Sequence, residues 1–211
     1  MNAAEIKAKV LDVIRRTSPN VENVIRMDLK MVDKVMYAAG TTLSAYKLFS
    51  QDTSTDKYTG NRSHVFPLPK GKVHVIHGIR CEIALKLSAA PSTALGYNEY
   101  LLARESYFDF RVNKTNLNPV YLSDTLTTNY VTQGGAIAYV PKQNFVAHYF
   151  SEPLIVDDKG DINITFEPAP GLATAAANAA NPYAIINAAG STAERGCISV
   201  ELIASEWTEI L

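Results

Sequence analysis

From Val73 to Leu87 apolar side chains recur at every second position: Val73, Val75, Ile79, Cys81, Ile83, Leu85 and Leu87, interrupted by His77. The positions between them include His74, Arg80, Glu82 and Lys86. A period of two belongs to a pleated strand with one face buried and the other wet. At about 3.3 Å per residue such a run reaches roughly 50 Å, well beyond an ordinary strand. It demands a tall antiparallel partner sheet. Gly78 inside the run is the one place where a bulge or bend is expected.

The rest of the chain repeats this grammar. Leu43 to Phe49 reads as a strand, and Phe108, Phe110 and Val112 alternate with Asp109 and Arg111. Short apolar runs follow at Val120–Leu122, Ile137–Val140, Asn144–Phe150 and Leu154–Val156. Ile162, Ile164 and Phe166 then alternate with Asn163 and Thr165, as do Ile198, Val200, Leu202 and Ala204 with their polar neighbours. Many short strands separated by turns, without helix-length patterns between them, predict an all-β antiparallel sandwich. The N-terminus departs from this. Ile6, Val10, Val13 and Ile14 form a helical stripe among Lys7, Lys9, Asp12, Arg15 and Arg16. Asn2 and Glu5 have the spacing of a capping box, and Ser18-Pro19-Asn20 ends the helix. Residues 24–36 fit both periods, with a strand or extended arm over 25–32 preferred. The expected division is a helix and arm over 1–39 and one sandwich domain over 40–211.

Charged residues make up 19% of the chain and the net charge is −1. That balance argues against a strongly basic nucleic-acid binder and leaves no specific nucleic-acid site evident. No run approaches the roughly 18 apolar residues that span a bilayer. A nucleophile elbow, a P-loop and a dinucleotide fingerprint are all missing from the sequence, and no enzymatic activity is expected. His74 and His77 are three apart, so a regular strand sends them to opposite faces and away from a shared metal. Asp157-Asp158-Lys159-Gly160 reads as a polar hairpin turn rather than a calcium loop. Catalytic, cofactor and metal residues are therefore expected to be none.

Two segments remain for contacts. The stripe Ile6, Val10, Val13 and Ile14 with Lys7, Arg15 and Arg16 suits assembly with a neighbour or a membrane surface, or a cap on one end of the sandwich. Residues 168–196 are rich in small side chains around an apolar knot that includes Tyr183, Ile185 and Ile186, which suits an inter-subunit loop. Tyrosine is enriched at 11 residues, and its apolar body with a polar tip fits interfaces, cores or a sugar platform.

The order of these segments carries a resemblance. A polar loop leads into FPLPKGKVHVIHGIRCEIALKL, then SYFDFRVNKTNLNPVYLSDTL, FVAHYFSEPLIVDDKGDINITFEPAPG and a final CISVELIASEW. This pattern, with its entry Leu68-Pro69-Lys70-Gly71 before the long strand, resembles the major capsid proteins of tailless, often internal-membrane-containing bacteriophages. The match is to their upright single jelly-roll type. The resemblance implies a jelly-roll fold and a self-assembling structural protein of the virion. Its expected partners are further copies of itself, other virion proteins and an internal lipid membrane reached through the N-terminal helix. The alternatives are a phage decoration or receptor-binding module, a carbohydrate-binding sandwich, or a cupin-like enzyme.

Overall fold

A computed structural model describes residues 1–37, 44–49, 68, 71–84, 103–112, 115–133, 136–143, 145–160, 162–169 and 196–210. The protein is an all-β sandwich of two antiparallel sheets with little helix. Its strands are β1 (Val24–Tyr37), β2 (Tyr46–Leu48), β3 (Lys72–Ala84), β4 (Tyr107–Val112), β5 (Thr115–Asn116), β6 (Val120–Tyr121), β7 (Thr128–Gln133), β8 (Ala136–Pro141), β9 (His148–Val156), β10 (Ile162–Glu167) and β11 (Gly196–Glu209). Helix α1 covers Ala3–Arg15, and a short α2 covers Leu122–Thr125.

One sheet has the order β1-β11-β3-β9 and the other β2-β10-β4-β5, with β6 also on β4; β7 and β8 form a separate pair. The pairs are nested in the chain: β1 with β11, β2 with β10, β3 with β9 and β4 with β6. Successive pairs fall in alternate sheets, so the chain winds between the two layers as a folded-over long hairpin. The layers share one core. Met31 and Val35 of β1, Ile76, Ile79 and Cys81 of β3, and Ile198, Val200 and Leu202 of β11 meet Leu48, Phe108, Phe110, Ile162, Ile164 and Phe166 from the other sheet. Phe108 and Phe166 lie 5.5 Å apart between ring centroids, a tilted pair at the centre of the shorter sheet. The alternating burial of β10 between core and surface is the period-two signal realised as packing.

The strand preferred over residues 25–32 is present and longer, Val24–Tyr37, paired to β11 along its length. It is no arm detached from the sandwich: the expected boundary at 39/40 lies outside the described residues, and the segment before it is a full sheet strand. Leu85 to Leu87 also lie outside the described residues, as do the loops 51–63 and 89–97 and the knot Tyr183, Ile185 and Ile186. At the entry to β3, Gly71 adopts φ 79°, a left-handed conformation that glycine takes without a Cβ clash.

The long strand changes face part-way. Gly78 opposes Ile203 of β11 while Ile76 opposes Ala204, which leaves His77 as an extra, bulged residue. The apolar residues at odd positions therefore do not share one face, as regular alternation predicts. Ile79 and Cys81 enter the inter-sheet core, whereas Val73 and Val75 belong to a second cluster on the outer face. Gly78 makes the bulge possible on its other side. A Cβ there would lie 2.4 Å from the His148 carbonyl oxygen of β9. Only glycine lets the two backbones approach that closely.

Candidate functional site

The outer cluster seats the N-terminal helix. Asn2 and Glu5 form a reciprocal capping box, with Asn2 Oδ1 accepting from the Glu5 N–H at 2.9 Å and Glu5 accepting from the Asn2 N–H at 2.9 Å. The cap fixes where α1 starts and hence which side chains point at the sheet. Ile6, Val10 and Ile14 are buried against Val21, Val24, Val73, Val75 and Trp207, with Leu11, Val13 and Ile155 partly buried around them. Each fully buried Val or Ile contributes roughly 1.5–3 kcal/mol, so this stripe holds the helix firmly. Arg15 Nε donates to the Val21 carbonyl at 2.9 Å and ties the helix end to the strand entry.

The predicted contact residues thus divide. Ile6, Val10 and Ile14 are satisfied within the chain and Val13 is half-buried, so the apolar stripe is not available to insert into a bilayer. Lys7, Arg15 and Arg16 are exposed, with Lys7 Nζ reaching Asn23 Oδ1 at 3.4 Å and Arg16 lining the cleft beside α1. The helix lies on the outer face of the β1-β11-β3-β9 sheet, not over an open end of the sandwich. Among the described residues no helix is long and apolar enough to cross a membrane.

Beneath the helix the inner face carries a polar cluster. His74 is 1% exposed, and its Nε2–H donates to Glu206 Oε2 at 3.1 Å. Lys72 Nζ donates to Glu206 Oε1 at 2.8 Å. Burial pushes the Glu206 carboxyl up, but the hydrogen bonds and charges of Lys72 and His74 outweigh it and hold it below the usual carboxylate range. On the opposite face His77 Nε2 lies 3.1 Å from Ser205 Oγ, which also accepts from Trp207 Nε1 at 3.0 Å. Burial and the nearby Arg26 charge lower the His77 pKa. His74 and His77 therefore engage neighbouring residues of β11 on opposite faces, the separation expected from a strand, although a bulge intervenes. Among the described residues no group of three or more His, Cys, Asp or Glu side chains could hold a metal.

Beyond the bulge the outer face is charged. Arg80 donates twice to Glu201 Oε2, at 3.0 and 2.8 Å, and Lys30 Nζ lies 3.2 Å from the same oxygen. This ladder crosses β3, β11 and β1. Cys81, on the core side, is fully buried, and desolvation raises its thiol pKa to about 12 despite a hydrogen bond with Thr125. A thiol held that high is a poor nucleophile.

The remaining candidates carry little chemistry. Asp157 to Gly160 is a turn closed by Gly160 N–H to the Asp157 carbonyl, but it links β9 to β10 in different sheets and is a corner, not the expected hairpin. A cleft of about 280 Å³ between this corner and α1 is lined by Arg16, Lys72 and Lys159 as well as Asp157 and Asp158. Its charges of both signs favour no single ionic ligand. Tyr107 and Tyr121 form an edge-on pair with centroids 6.3 Å apart. The exposed Tyr121 and Tyr149 lie on different sheets, so among the described residues they make no planar row for a sugar.

Trp207, Ser205 and Glu206 escaped the sequence reading. In the structure Ala204 to Trp207 are four consecutive buried residues, where β11 is covered on both faces; the sequence shows Ser205 only as a polar step of the alternation. Among models of known protein families and among curated proteins, nothing matches this chain.

Proposed function

We propose that this chain is a shell-forming structural protein of a bacteriophage particle, folded as a single jelly roll. The observation that carries the reading is the nested pairing of strands in alternate sheets. Such winding of one long antiparallel hairpin into two layers is the double Greek key of jelly rolls, an architecture shared by many capsid domains. The chemistry of the surface points the same way. Lys72 and His74 both donate to Glu206, the Cys81 thiol is buried and raised in pKa, and the cleft beside α1 carries charges of both signs. Fold alone never assigns function, and jelly rolls also serve lectins and cupins. The sandwich would act as a rigid wall whose copies contact one another and other virion proteins in a closed shell.

With α1 seated on its own sheet, contact with an internal membrane would run through the exposed Lys7, Lys9, Arg15 and Arg16 and anionic head groups, not through apolar insertion. The place of the protein would be the virion, after synthesis in the host cytoplasm. Mass spectrometry of purified native particles tests the assignment. The chain is expected among their most abundant components; particles from its source that lack it would overturn the reading. A soluble monomer that binds immobilised glycans would favour the carbohydrate module instead.

A further inference from the structure

β1 is an edge strand whose start is bare on both faces. Ile25, Arg26, Met27 and Asp28 are four consecutive exposed residues inside a strand, with Ile25 51% and Met27 50% exposed. Among the described residues β1 pairs with β11 alone, and that pairing runs without a bulge from Val24 to Tyr37. The segment has no proline. Natural sheets blunt such edges with prolines, bulges or uncompensated charges, because an open edge recruits another strand. Apolar side chains this exposed on an edge without proline or bulge point to a strand partner.

The hydrogen-bonding phase is also defined. Ile210 N–H donates to the Asn23 carbonyl, so odd residues of this segment aim their backbone groups at β11. The N–H and C=O groups of Val24, Arg26, Asp28 and Lys30 then aim at the open edge. We propose that this edge pairs antiparallel with the same edge of a second copy, about a two-fold axis through Met27. In that register Arg26 and Asp28 of one copy exchange backbone hydrogen bonds with Asp28 and Arg26 of the other. Their side chains, paired within the chain at 2.9 Å and largely exposed, meet opposite charges across the axis as well. Ile25 faces Leu29 of the second copy, and Met27 faces Met27 in a non-hydrogen-bonded pair, where side chains stand closest.

Neighbouring two-fold registers are frustrated. Centring on Asp28 opposes Asp28 to itself and Arg26 to Lys30; centring on Arg26 opposes Arg26 to itself. Centring on Leu29 sets Ile25 against Asp33, whose carboxylate is already engaged by the Phe49 N–H at 2.7 Å. The Leu29 register does pair Asp28 with Lys30, but it sets exposed Met27 against the buried Met31. The Met27 register is centred on the exposed stretch Ile25–Asp28 and pairs its charges with countercharges and Ile25 with Leu29. It would fuse two four-stranded sheets into one continuous sheet with β1 strands at its centre, an isologous contact.

This contact refines the assembly reading and can be tested apart from it. Met27→Cys and Ile25→Cys, each made in a Cys81→Ala, Cys197→Ala background so that it is the sole cysteine, are oxidised at low concentration, and disulfide-linked dimer is measured by non-reducing electrophoresis. Met27→Cys is expected to cross-link roughly tenfold faster than Ile25→Cys, because only the axial residue meets its own copy. Arg26→Asp is expected to weaken self-association about tenfold by opposing like charges at two symmetric places, and Arg26→Asp with Asp28→Arg to restore it. Equal cross-linking of the two cysteine variants, or self-association indifferent to Arg26→Asp, would overturn the contact. Regular particles that form without the 27–27 cross-link would remove this edge contact and leave the shell. Cross-linked dimers that never grow into particles would keep the contact and remove the shell.

Discussion

The four-stranded sheet is two different structures joined at one residue. Before His77, the outer face of β3 and β11 is apolar, with Val73, Val75 and Trp207 roofed by α1, so these two strands are covered on both faces there while β1 at the edge stays exposed. After His77, the inner face still packs into the core through Ile79 and Cys81, but the outer face carries the Lys30–Glu201–Arg80 ladder, partly covered at Glu201 and open at Lys30. The bulge is what permits the difference, because one extra residue shifts the strand's alternation by one face. A strand that reads as uniform in sequence therefore serves a three-layer region and a two-layer region in succession. The three-layer half anchors the N-terminus; the two-layer half presents charge.

The largest effect should come from breaking the roof. Val10 is fully buried beneath it, and Val10→Asp would leave an unpaired charge there. A loss of about 3 kcal/mol or more is expected, limited by release of the helix. Hydrogen exchange should show Val73–Val75 losing protection while Ile79–Cys81 keeps it; equal loss in both would mean the halves are not independent. Next in size is Gly78→Val, which drives a side chain into the His148 carbonyl and should cost about 2–3 kcal/mol through displacement of β9. Unfolding in urea measures it, and an unchanged midpoint would show that β9 approaches less closely.

The inner polar cluster predicts a pH dependence. The folded pKa of Glu206 lies below its ordinary 4.5, so its contribution is complete above that value. It is lost as pH falls through the lowered folded pKa. His77, also lowered from its ordinary 6.5, favours the neutral ring when folded and adds a loss of stability as pH drops below that value. Glu206→Gln should therefore cost about 1.5 kcal/mol near neutrality and flatten the acid branch below 4.5, leaving the His77 branch in place. Melting temperature followed from pH 7 downward checks both branches. The smallest effect belongs to the charged half: Arg80→Ala should cost about 1 kcal/mol, since Lys30 still reaches Glu201, and added salt should reduce it modestly because Glu201 is largely covered. A much larger loss would place the whole ladder under cover.

What could be read from the chain follows how local each determinant is. The helix, its cap and its buried stripe were legible because Asn2, Glu5, Ile6, Val10 and Ile14 interact within a few residues of one another. Most strands were legible from alternation, including the one preferred over 25–32, but β5 and β7 were not, and the runs at 144–150 and 154–156 belong to the single strand β9, His148–Val156. The bulge left a trace, since His77 is the polar interruption in the apolar series. Its consequence was hidden, because which face Val73 or Ile79 occupies depends on β11. His74 finds Glu206 at a separation of 132 residues, and nothing local announces that pairing. The roof over Val73 and Val75 was likewise hidden, as a helical stripe fits a membrane, a neighbour or the chain's own sheet equally well until Trp207 supplies the floor.

The direct test of the shell reading is negative-stain electron microscopy of the purified chain over a range of concentrations. Closed particles of uniform size, forming as concentration rises, are the predicted result. Monomers that persist at the highest concentration, without particles or ordered arrays, would contradict it.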